Sequence, residues 1–115
     1  MTSDNIIRFR RLSRDQAEIL IHEISRDSKR VVLSRHAKER MIERRVTFKE
    51  VIVCLDRFTF FEEPSWSTTH HGGYRMTIEA RSTDHYLRIG LSLNNDTDAE
   101  DGEDNYILII TVIDI

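Results

Sequence analysis

Near Asp56 the spacing of the apolar residues changes, and this limits the fold more than any other feature of the chain. Before that point apolar side chains recur at helical spacing; after it they recur at every second position. A chain that is helical first and two-periodic afterwards folds into a helical layer and a sheet layer, the α+β class. With 115 residues it fits one domain, 1–115, with enough burial for a single core.

The helical part divides at its caps. Ser13 with Gln16 three residues on has the form of a capping box, and Ala17, Leu20, Ile21 and Ile24 follow on one face, which predicts a helix over 13–25. Residues 27–30 are a polar link. Val31, Val32 and Leu33 form either a small strand or an extended lead-in. Ser34 then caps a second helix whose core side carries Ala37 and Met41, with Ile42 less well aligned. Thr47 and Glu50 make another capping box, and Phe48, Val51, Ile52 and Leu55 mark a third helix ending near Asp56.

The two-periodic part begins with an aromatic strand over 58–63, bounded or placed at a sheet edge by Pro64. Tyr74, Met76, Ile78 and Ala80 alternate with polar residues, as do Leu87, Ile89, Leu91 and Leu93. Residues 106–113 are apolar on both faces, as in a central strand. The expectation is N-terminal helices packed on a four-stranded antiparallel sheet: an added helix in 1–30, two further helices in 31–56, and the sheet in 57–115.

Charge narrows the partners. The net charge is −3, but residues 1–50 carry +5 and residues 51–115 carry −8. A basic first half presents a local positive field to an anionic partner, although uneven charge on a small protein accounts for it equally well. Cys54 is the single cysteine, which excludes an intrachain disulfide and a multi-cysteine zinc site and suits a reducing compartment. No apolar run is long enough for a membrane span, and residues 1–11 lack the order of a signal peptide, so the cytoplasm is expected.

Within the second helix His36, Arg40 and Arg44 form a stripe. At about 100° per residue Arg40 lies about 40° and Arg44 about 80° from His36, beside the Ala37/Met41 core face. His36 falls in the first turn, where free amides and the helix dipole favour an anion. Arginine grips phosphate oxygens in a two-pronged way. This is raw material for cleaving RNA without a metal: a base takes the 2′-hydroxyl proton, cations stabilise the charged phosphate, and an acid protonates the leaving oxygen. The plainer alternative is a solvated face.

The run Ser34-Arg-His36-Ala37-Lys-Glu-Arg40-Met41-Ile-Glu-Arg44, followed by Thr47 and by Glu50-Val51, resembles a family of small bacterial proteins. Their hallmark reads S-x-H-A-x-x-R-M-x-x-R-G-I-[ST]-x-x-[ED]-V. That family looks like part of the RelE/MqsR-like ribonuclease-toxin superfamily, which groups barnase, EndoU, colicin nuclease and RelE folds. The match covers 31–55 well and the strands loosely, through Tyr74-Arg75 and Ile110-Thr111-Val112. Arg45 stands where the hallmark has Gly. The resemblance implies a RelE-like fold, a cytoplasmic endoribonuclease toxin with RNA as substrate, either free messenger RNA or RNA associated with the ribosome, and an antitoxin partner. It assigns catalysis to His36, Arg40, Arg75 and Thr111, and substrate contacts to Ser34, Arg44 and Tyr74. It implies neither metal nor other cofactor.

Other motifs are weaker. His70 and His71, with His85 later, lack a convincing further metal ligand, and a polar turn is the better account. The acidic stretch from Asp96 to Gly102 has its Gly one residue late for a calcium loop, and Ile107 stands where Glu is needed. Cys54 has no arranged His partner. Phe58, Phe60 and Phe61 are core candidates, and Trp66 is a candidate for base stacking. Besides an endoribonuclease, the chain suits a non-catalytic RNA- or protein-binding module, or an interaction protein whose sheet edge accepts a strand from an antitoxin or a second copy.

Overall fold

A computed structural model describes residues 12–67, 73–95 and 105–115. Each of the three helices starts where a side-chain oxygen meets a free amide. Helix α1 (Arg14–Ser25) opens on the Ser13/Gln16 capping box, with both reciprocal bonds formed. Helix α2 (Arg35–Arg44) opens on Ser34, and α3 (Phe48–Asp56) opens on the Thr47/Glu50 capping box. These contacts satisfy amides that have no partner inside the helix.

The strands are β1 (Val31–Leu33), β2 (Thr59–Ser67), β3 (Gly73–Arg81), β4 (Tyr86–Asn95) and β5 (Asn105–Asp114), in the spatial order β1-β5-β4-β3-β2. The expected four-stranded antiparallel sheet is therefore corrected to a five-stranded mixed one. Nor do all the helices precede the strands, because β1 lies between α1 and α2. It pairs parallel with β5, Val31 opposite Ile107 and Leu33 opposite Ile109. The physical reason is length. Three residues show no period, yet the β-branched Val31 and Val32 and the apolar Leu33 fit beside an apolar strand with a vacant edge. The long connection that a parallel pair needs is supplied by α2, α3 and the antiparallel strands between them.

β2 also extends beyond its expected end, running through Pro64 to Ser67 with register shifts between Phe60 and Glu62 and between Glu62 and Ser65. Proline is tolerated because β2 is the other edge strand.

One core joins the two layers. Ala17, Ile21 and Ile24 of α1, Ala37 and Met41 of α2, and Val51, Cys54 and Leu55 of α3 are buried with Met76, Ile78, Leu87, Ile89, Leu91, Ile107, Ile109 and Val112 of the sheet. Ile42, off this face, is 77% exposed. Phe58 and Phe60 meet edge to face at 5.3 Å and pack against the core. Phe61 is instead exposed and lies under the Arg88 guanidinium, 3.7 Å from its ring centre. Among the described residues no helix is long and apolar enough to cross a membrane.

Candidate functional site

Helix α2 is fastened at both ends, and its fastenings decide what its charged flank can do. At the start, the Ser34 amide donates to the Ile109 carbonyl at 2.9 Å. The Ser34 hydroxyl accepts from the Ala37 amide and donates to the Ile110 carbonyl, both at 3.0 Å. Ile110 is the extra residue of a register shift: Gly90 faces Thr111 while Leu91 faces Ile109. Ser34 thus spends its hydroxyl on joining α2 to β5.

Beyond this anchor, His36 and Arg44 are exposed and Arg40 is half-buried. Arg40 pairs with Glu43 at 2.9 Å and Arg35 with Glu39 at 3.5 Å. Surface pairs of this kind contribute about 0–1 kcal/mol, so these guanidinium groups are held only weakly by their carboxylates. Residues 35–45 hold five Lys/Arg against two Glu, a local balance of +3 in a chain of net −3. Arg45 closes the helix in the left-handed conformation, φ 58°, and its amide donates back to the Ile42 carbonyl. This is the position where the resembled hallmark has Gly, and the arginine adopts the backbone that glycine would favour.

The remaining expected site residues lie elsewhere. Burial alternates along β3, placing Tyr74, Met76, Ile78 and Ala80 toward the helices and Arg75, Thr77 and Glu79 away from them. Tyr74 is 4% exposed and stacks edge to face with Trp66 at 5.6 Å. Arg75 is half-buried beside Ser92 of β4. Thr111 faces Gly90, which faces Thr77, so it shares the Arg75 side of the sheet with β4 between the two strands. The structure gathers His36, Arg40 and Arg44 on one helix and places Arg75 and Thr111 on the sheet face opposite the helices. It does not bring the two groups onto one surface. His70, His71 and 96–102 lie outside the described residues.

A second polar cluster sits at the far end of α2, where the chain turns into α3. The Glu50 carboxylate accepts from the Thr47 amide at 3.0 Å, the Ser82 hydroxyl at 2.7 Å and the His85 ring at 2.7 Å through Nδ1. The other ring nitrogen, Nε2, lies 3.1 Å from the Arg44 carbonyl. The Glu50 and His85 side chains are 12% and 14% exposed. Burial pushes the Glu50 carboxyl up, but the bonds from His85, Thr47 and Ser82 and the charge of His85 outweigh it and hold the group at about 2. The bond to Glu50 raises His85; burial opposes this, and the charges of Glu50 and Asp114 and the Arg44 carbonyl add to the rise. The pair also suits both helix dipoles, the cation at the end of α2 and the anion at the start of α3.

In the sequence Glu50 reads as a cap and a position of the resembled hallmark, and His85 as a weak metal-ligand candidate beside His70 and His71; nothing there pairs the two. The one available signal was the polar turn Ser82-Thr-Asp-His85, where the Ser82 hydroxyl accepts the His85 amide at 3.1 Å. Cys54, buried against the Ala80 carbonyl, is an unreactive thiol, pushed up to about 11 by burial and by the Glu50 charge. No family model, curated protein or solved structure matches the chain.

Proposed function

We propose that this chain is an RNA-binding protein whose α2 flank docks the phosphate backbone. The observation that carries this is the row of exposed His36 and Arg44 with half-buried Arg40, whose ion pair with Glu43 is a surface contact, on a helix fixed at both ends. A rigid helix holds its cations in a set geometry, so little ordering entropy is lost on docking. Arginine matches phosphate geometry, and the local positive field draws RNA to this side of a net-negative chain. Titration of a short single-stranded RNA with wild type and with Arg40→Ala/Arg44→Ala tests it.

The second proposal is enzymatic, a metal-independent endoribonuclease of the toxin kind with an antitoxin partner, acting in the cytoplasm. What favours it is the place of His36: exposed, in the first turn of α2, one turn from Arg40. There it would act as general acid or base while the arginines stabilise the charged phosphate. The plain binding role fits the geometry better, because Arg75 and Thr111 lie on the other side of the sheet. Incubating labelled RNA with the protein in chelator separates the two: fragments made by wild type and lost in a folded His36→Ala variant establish cleavage, and intact RNA leaves binding alone.

A further inference from the structure

We propose that His85 is a positioning residue for the docking flank of α2: its doubly protonated ring ties the end of that helix to the start of α3, and RNA docking weakens when the ring loses a proton. This rests on the RNA-binding function of α2 proposed above.

The geometry carries it. Both partners of the ring, the Glu50 carboxylate and the Arg44 carbonyl, can only accept hydrogen bonds. Two acceptors are satisfied together only by a ring bearing both protons. A neutral ring has one N–H, and the carboxylate is the stronger acceptor. The proton therefore stays on Nδ1, and a bare Nε2 is left 3.1 Å from the Arg44 carbonyl, lone pair against lone pair. The α2 end of the clamp is the one released. Arg44 carries both the clamped carbonyl and a side chain of the docking flank, so the release acts directly on that flank.

The ring is faced by groups from several elements. Glu50 comes from α3, Asp114 from β5 and the Arg44 carbonyl from α2, and each favours the cation. Ser82 and Asp84 belong to the histidine's own turn; Ser82 bonds Glu50, and Asp84 is exposed. Because the folded ring holds its proton more tightly than a free imidazole, the ring's contribution to the clamp is complete below pH 6.5 and is lost as pH rises through the higher folded value.

The test follows wild type and His85→Gln through that range by two readouts. The first is exchange of the Arg45 and Val46 amides, which donate to the Ile42 and Met41 carbonyls at the end of α2. The second is RNA affinity, measured in a His36→Gln background so that His36 does not titrate. Expected for the His85 protein is faster exchange, beyond the intrinsic rate increase, and about tenfold weaker RNA binding across the titration. His85→Gln, whose single amide nitrogen cannot stand at both ring-nitrogen positions, shows the fast exchange and weak binding at every pH. Should His85→Gln not fold, the wild-type titration alone decides. Exchange and affinity that stay flat as the His85 ring resonance titrates overturn the proposal. If Arg40→Ala/Arg44→Ala lowers affinity while His85→Gln matches its parent, α2 docks RNA without this control. If the arginine variant binds RNA like wild type, the docking function itself fails, and the link from His85 to RNA fails with it.

Discussion

Glu50 and His85 meet at 2.7 Å across 35 positions of sequence, and they hold together three pieces of backbone: the end of α2, the start of α3 and the turn between β3 and β4. This contact lets a short helix on a small sheet present its charged flank in one orientation.

The pair makes stability depend on pH from both sides. Glu50 lies below its unfolded value, 4.5, so its contribution is complete above that pH and is lost as pH falls toward about 2. His85 lies above its unfolded value, 6.5, so its contribution is complete below that pH and is lost as pH rises through the folded value. The contribution of the pair is therefore greatest between pH 4.5 and 6.5. Urea melts over a pH series, wild type minus Glu50→Gln/His85→Gln, should show this window, and a difference that does not vary with pH would refute it.

Removing one partner costs more than removing a surface charge. Glu50→Gln leaves the imidazolium largely buried beside a neutral amide and weakens the cap of α3. A loss of about 2–4 kcal/mol is expected, with a coupling to His85→Gln of about 1 kcal/mol or more in a double-mutant cycle.

Arg45 gives the opposite sign. Its φ of 58° is the one positive value at a non-glycine position among the described residues. Arg45→Gly should raise stability by about 0.5–1 kcal/mol, and a β-branched residue there should lower it. Melting temperatures of Arg45→Gly and Arg45→Val read this directly.

Gly73 does not tolerate a side chain. Its φ is 144°, and an added Cβ would stand 2.8 Å from both the Leu93 carbonyl oxygen and the Asn94 side-chain nitrogen, Nδ2. Gly73→Ala is expected to cost about 2 kcal/mol or more. The lesser case is Gly90, where a Cβ would meet only the Thr111 methyl, at 3.1 Å, and chemical denaturation of the two variants should rank them in that order.

Much of this fold was legible in the sequence because its signals are local. The caps at Ser13, Ser34 and Thr47 each need only four consecutive residues to form, and the alternation from Tyr74 to Ala80 declares which side faces the core. The parallel edge strand was not legible, because Val31–Leu33 is too short to carry a period and its partner lies at the other end of the chain. Likewise the route of β2 through Pro64 depends on its edge position, which only the assembled sheet defines. The stripe on α2 followed from helical spacing alone. The alternation along 74–80 already turned Arg75 away from the core, but the side of Thr111 was not legible, because 106–113 is apolar on both faces and only the shifted register with β4 places it. Glu50 and His85 met through tertiary structure, with no pattern joining them.

The central claim is that Arg40 and Arg44 dock phosphates, and salt-dependent RNA binding tests it most directly. Affinity for a short labelled single-stranded RNA would be measured over a salt series with wild type and with Arg40→Ala/Arg44→Ala. Each lost phosphate contact on a single strand removes about 0.7 from the slope of log affinity against log salt. The account predicts weaker binding by the variant and a slope shallower by about 1.4. Equal affinity and equal slope would contradict it, leaving the row on α2 as a solvated face.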